Sequence, residues 1–191
     1  MRLRDFKLLH QAQRAILVGT GPSVVEATVQ YKPAFGVNDV ERTGVGVDYL
    51  VMVDPIGRFG DDRRKWIYET KAVRFIGQPY CGPYPVAAVN YRLQQPRHRL
   101  GLPAGEGEFV YSNDTPYIAM SLAFWMGISE LGLIGIDHTG DHFRIGAKAI
   151  EIRYQYERQC KIFKEAGMRV VKLSEQSRLP LPYVPYKEWV T

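Results

Sequence analysis

Two histidines and two aspartates crowd into the stretch Gly135-Ile136-Asp137-His138-Thr139-Gly140-Asp141-His142. Histidine moves protons near neutral pH, so His142 is the first candidate for a general acid or base and His138 the second, with Asp137 beside them. Asp and His also bind cations, and Asp137 with Asp141 is a candidate pair for Mg²⁺. Their spacing matches no zinc motif. A solvated turn whose aspartates cap backbone groups fits the same residue types.

A second motif, Gly19-Thr20-Gly21-Pro22-Ser23, ends one apolar run and opens a capping-box pattern, Ser23-Val24-Val25-Glu26. Glycines let a backbone approach a ligand closely, and a helix N-terminus offers free N–H groups to an anion, so Gly19, Thr20, Gly21, Pro22 and Ser23 are ligand-binding candidates. Val24 stands where the dinucleotide fingerprint needs its third glycine, and no Gly-Lys-Ser/Thr follows, which excludes a P-loop. A turn made for geometry alone is the plainer alternative. Asn38 and Asp54 each follow an apolar run. Asn38 suits a base or ribose; Asp54 suits a hydroxyl or a divalent cation. In Ser112-Asn113-Asp114-Thr115-Pro116, Asp114 or Thr115 is the expected N-cap of a helix whose first turn holds Pro116. Asn113, Asp114 and Thr115 are therefore placed to meet a ligand as well. Tyr91-Arg92 and Arg97-His98-Arg99 form a basic cluster with aromatics nearby, able to neutralise phosphate, with Arg97 the leading member.

These residues need elements to hold them. Apolar runs predict strands at 15–18, 34–37, 49–53, 73–76, 109–111, 131–136 and 168–173. Helices are expected at 23–30, 61–70 (with Trp66 and Ile67 as core contacts), 115–126 and 147–166. In the last, Ile150, Tyr154, Cys160 and Phe163 would face the core. Residues 77–107 read as irregular, and a loop of that length is usually functional. Strands alternating with helices imply one α/β domain over residues 1–191: a Rossmann-like, mostly parallel sheet with helices on both faces.

A chain of 191 residues buries enough surface to fold without staples. The net charge of +5 suits an anionic ligand but is too small to establish nucleic-acid binding, which the basic cluster leaves open. Cys81 and Cys160 form no metal-type pair, no signal peptide is visible, and no run of apolar residues is long enough to span a membrane. A reduced, cytoplasmic setting is the expectation. A homo-oligomer is compatible with the sequence, and nothing in it requires one.

Taken in order and spacing, Ile16-Leu17-Val18-Gly19-Thr20-Gly21-Pro22-Ser23, Gly36-Val37-Asn38, Thr115 with its apolar helix, and Ile134-Gly135-Ile136-Asp137 resemble the bacterial sialyltransferase superfamily. The same pattern is similar to that of the 6-hydroxymethylpterin pyrophosphokinase-like (MptE-like) group and its phage and bacterial relatives. The resemblance runs from about Ala15 to Leu173. It implies a nucleotide in the cleft over the strand ends, contacted by Gly19, Gly21, Ser23, Asn38 and Thr115, with His142 as the nearest match to the family's general base. The segment between Asp137 and His142 is far shorter than the family's lid, and Asp114-Thr115-Pro116 replaces its Ser/Thr-Ser-Gly. The expected function is a transferase using an activated nucleotide donor, most simply a glycosyl donor, on a hydroxyl acceptor. The alternatives are an ATP- and Mg²⁺-dependent pyrophosphokinase, in which Asp54, Asp137 and Asp141 gather the metal, and a non-catalytic nucleotide- or nucleic-acid-binding module.

Overall fold

Strands that are apolar on both faces belong in a parallel sheet covered from both sides, and the computed structural model of the chain contains one. It describes residues 1–28, 30–78, 87–94, 100–105, 107–110, 112, 114–139 and 147–191, without the side chains of 78, 94, 110 and 147–151. The strands are β1 (Arg14–Val18), β2 (Ala34–Val37), β3 (Tyr49–Met52), β4 (Val73–Gln78), β5 (Val89–Gln94), β6 (Glu108–Val110), β7 (Glu130–Ile134) and β8 (Arg169–Lys172). All pair in parallel, in the order β6-β5-β4-β3-β2-β1-β7-β8. The architecture is α/β and Rossmann-like.

Alternate residues of each strand feed two cores. Ala15, Leu17, Phe35, Val51, Phe75, Leu131 and Leu133 face helices α2 (Thr115–Trp125) and α3 (Ala147–Glu165). Ile16, Val18, Ala34, Leu50, Met52 and Ile134 face α1 (Asp61–Glu69), the short helix α4 (Tyr186–Trp189) and several 3-10 turns. Helices thus cover both faces. Helix α2 is buried nearly all round, which suits its apolar sequence. Gly167, at φ +96°, stops α3 in the left-handed conformation that glycine adopts without strain. Among the described residues no helix is long and apolar enough to cross a membrane.

Several expectations need correction. The helix over 23–30 is a five-residue 3-10 turn, Pro22–Glu26. Its capping box does not form, because Glu26 accepts hydrogen bonds from Ser174 Oγ (2.6 Å) and Gln176 Nε2 (3.2 Å) instead. The stretch 77–107 is not irregular throughout. β4 runs on to Gln78, and β5 lies between β4 and β6. The alternation Val89, Tyr91, Leu93 supplies the inward face of β5, and all three are buried. Tyr91 therefore belongs to the core, where its hydroxyl donates to the Met52 carbonyl (2.9 Å), while Arg92 is exposed. Trp66 is 41% exposed and leaves Ile67 as the core contact of α1. On α3 the inward residues are Tyr156, Cys160 and Phe163, and Tyr154 is 56% exposed.

Candidate functional site at the carboxyl edge of the sheet

The chain leaves β1 toward β2 and adds strands on that side as far as β6. Helix α2 then carries it back across the sheet to β7, on the other side of β1. β1 and β7 are thus the neighbouring strands at which the strand order reverses, the position where open α/β sheets bind ligands.

The two exits are locked together. Gly19 N–H donates to the Ile134 carbonyl (2.8 Å) and Gly21 N–H to the Gly135 carbonyl (2.7 Å). A Cβ at Gly19 would lie 2.3 Å from the Gly135 oxygen, and one at Gly21 would lie 2.6 Å from Asp137 Oδ2. The close approach these glycines permit is that of the β7 exit. Gly135 meets them at φ +67°. Asp137 Oδ2 accepts the Ser23 N–H (2.8 Å), and Asp137 Oδ1 accepts the Ser23 hydroxyl. That hydroxyl in turn accepts the Gly135 N–H (2.9 Å). The N–H expected to greet an anionic ligand thus greets an anion of the protein itself. Ser23 and Asp137 are both buried, whereas Thr20 and Pro22 are exposed.

One residue beyond Asp137, His138 adopts φ +50°, a left-handed conformation uncommon outside glycine. Its side chain is 3% exposed, with Nε2 3.2 Å from Asp114 Oδ2. Asp114 stands at the N-cap position of α2 as expected, but its carboxylate makes no cap bond. It turns to His138 and to Tyr156 of α3, whose hydroxyl donates to Oδ2 at 2.6 Å. The Tyr156 ring meets the His138 ring edge-on, 5.2 Å between centroids. Burial first, and then the charge and hydrogen bond of Asp114, push the Tyr156 phenol far above its usual range, so it stays a neutral donor. Behind it, Tyr117 donates to Gln159 Oε1 (2.9 Å), and burial pushes the Cys160 thiol up to about 12. Cys160 is no nucleophile at neutral pH.

A second polar group sits at the β2 exit. Asn38, at φ +56°, is half-buried, and its Oδ1 finds no hydrogen-bond partner among the described residues. The next residue, Asp39, has a fully buried carboxylate. It receives a fork from Arg63 (2.7 and 2.6 Å) and the Arg42 Nε (2.7 Å). At the β3 exit, Asp54 accepts from Arg58 (2.9 Å).

The sequence-derived set divides accordingly. Gly19, Gly21, Ser23, Asp137, His138, Asp114 and Thr115 gather at the exits of β1 and β7 and the start of α2. Asn38 and Asp54 follow β2 and β3 on the same edge of the sheet. Asn113, Asp141, His142, Arg97, Arg99 and Cys81 lie outside the described residues. Among the described residues no three His, Cys, Asp or Glu side chains gather to hold a metal ion. The described members of the Mg²⁺ set, Asp54 and Asp137, are bound to Arg58 and Ser23, so they do not make a fitted cation site. Tyr156, Asp39, Arg42 and Arg63 were missed as site residues. The signal for Tyr156 was its spacing of four from Cys160 on one helix face. No protein-family model, curated protein or solved structure matches this chain.

Proposed function

We propose that the chain is a transferase that holds an activated nucleotide donor over the exits of β1, β2 and β7 and passes its glycosyl group to a hydroxyl acceptor. The observation that carries this reading is the His138–Asp114 pair, an imidazole oriented by a carboxylate at the carboxyl edge of an open parallel sheet. Asp114 Oδ2 faces Nε2 and holds the imidazole in one orientation, with Nδ1 buried on the other side of the ring. In the reaction the acceptor oxygen bonds to the anomeric carbon as the carbon–oxygen bond to the nucleotide phosphate breaks. The acceptor proton passes to a general base, for which His142 is the first candidate of the sequence and His138 the second, and the phosphate leaves with the electron pair. Asp114 and Tyr156 act through His138 and are positioning residues. Asn38 Oδ1 offers an acceptor to a donor sugar or base hydrogen. Ser23 and Asp137 shape the elbow and do not themselves transfer protons.

The low exposure of His138 favours one other reading, in which His138, Asp114 and Tyr156 only staple β7 to α2 and α3 in a nucleotide-binding module without catalysis. A thermal-shift screen with CMP, UDP, GDP, ADP and ATP comes first. A nucleotide at about ten times its Kd stabilises by about 1.4 kcal/mol, raising Tm by roughly 3–5 °C. No response to any of them overturns both readings. With a responding nucleotide in hand, His138→Gln should retain binding and reduce transfer or hydrolysis of the matching sugar nucleotide by about 100-fold or more. Equal turnover in the variant selects the non-catalytic reading.

A further inference from the structure

At the opposite, amino edge of the sheet a separate cleft opens where the C-termini of α2 and α3 meet the segment before β1. Its volume is about 560 Å³, within the range of small-molecule sites. Leu8, Ala12, Phe124, Trp125, Ile128 and Ala166 are its apolar side chains, and Lys7 is the charged lining residue among the described residues. The Lys7 ammonium lies 4.9 Å from the centroid of the Trp125 ring.

Two features set this cleft apart from an ordinary surface dent. Leu8 and Ala12 line it at φ +58° and +59°, left-handed conformations that an unconstrained chain avoids. That backbone path leaves Leu8 and its neighbour Leu9 each 51% exposed, and Leu102, next to the lining residue Pro103, 38% exposed. Apolar surface is thus presented at and beside a concave opening. Two helix C-termini would ordinarily repel an anion. Here most of their last carbonyls are already bonded. Leu8, His10 and Ala12 N–H groups donate to the Trp125, Met126 and Gly127 carbonyls, and Ala166, Gly167 and Met168 donate to the Ile162, Phe163 and Lys164 carbonyls of α3. Among the described lining residues the charge at the cleft is then the Lys7 cation.

We infer that this cleft binds a small organic anion with an apolar, aromatic-sized body, the body against Phe124, Trp125 and Leu8 and the negative group toward Lys7. The site is independent of the transfer chemistry proposed at the carboxyl edge. The probe is anilinonaphthalene sulfonate, titrated by fluorescence against the full chain, with uncharged phenylnaphthylamine as comparator. Saturable one-to-one binding of the sulfonate is expected. Lys7→Glu should weaken it by about tenfold, with phenylnaphthylamine changing by less than about twofold. Ala166→Trp should abolish binding of both by filling the cleft. Lys7 and Ala166 are exposed, so both variants should keep their fold, which circular dichroism checks. Absence of saturable binding, or binding indifferent to either variant, overturns the inference. So does a dimer in sedimentation that both variants dissociate, because a second copy of the chain would then be the occupant.

Discussion

Asp39 has no exposed side-chain surface, and two guanidinium groups share its carboxylate. Burial alone would raise its pKa. The Arg63 hydrogen bonds and charge, with Arg42, outweigh burial and hold the carboxyl below its ordinary range. A folded-state pKa below the unfolded one stabilises the protein above the unfolded value, roughly 4, and that contribution is lost as pH falls through the lower folded value. Asp39→Asn should therefore be less stable than the wild type by about 1–2 kcal/mol at neutral pH, because it removes the buried partner of Arg63 and Arg42, whose own partial exposure lets water offset part of the loss. The difference should shrink as pH drops below about 4. Urea denaturation at a series of pH values measures it. A gap that stays constant down to acid pH would show that the ion pair is not its source.

At the level of elements, the contact between the β1 and β7 exits controls where Ser23, Asp137 and His138 stand. Gly21 has φ −73°, which any residue adopts, so a side chain there is opposed by space alone. An added Cβ would lie 2.6 Å from Asp137 Oδ2 and 2.8 Å from the Gly135 oxygen. Gly21→Ala should cost about 1–3 kcal/mol and lower the nucleotide response along with Tm. Gly57→Ala is the control, since a Cβ there meets nothing within 4 Å. Differential scanning calorimetry of the two variants decides, and equal Tm values would mean the elbow yields without strain. The same contact explains the misread helix at 23–30. Ser23 spends both its N–H and its hydroxyl on Asp137, and the turn ends after five residues.

Across the whole molecule, the second core is closed by the C-terminal segment. Lys172 in β8 exchanges backbone hydrogen bonds with it, donating to the Pro182 carbonyl (2.9 Å) and accepting from Val184 N–H (3.0 Å). This covers one sheet edge, a common protection against strand-to-strand aggregation. Trp189 then packs at 2% exposure, with the Arg14 guanidinium 4.7 Å from its ring centroid. Trp189→Ala should destabilise by about 3–5 kcal/mol, read by chemical denaturation. A loss below about 1 kcal/mol would show that the segment is an accessory cover and not part of the core.

The strands, their parallel pairing and the two-sided helical cover were legible because apolar runs of four to six residues separated by helical stretches admit few other arrangements. β5 was readable in principle from Val89, Tyr91 and Leu93, but the Pro- and Arg-rich flanks masked its short period. Asp114 could be placed at a helix start from local residues alone. The sequence does not encode locally which way its carboxylate points. His138 is 24 residues away and Tyr156 is 42, and Ser23 and Asp137 are 114 apart. Such partners meet when α2 crosses the sheet and brings β7 beside β1. A local pattern carries the propensity of an element, and hydrogen bonds between distant elements depend on packing that no single segment contains.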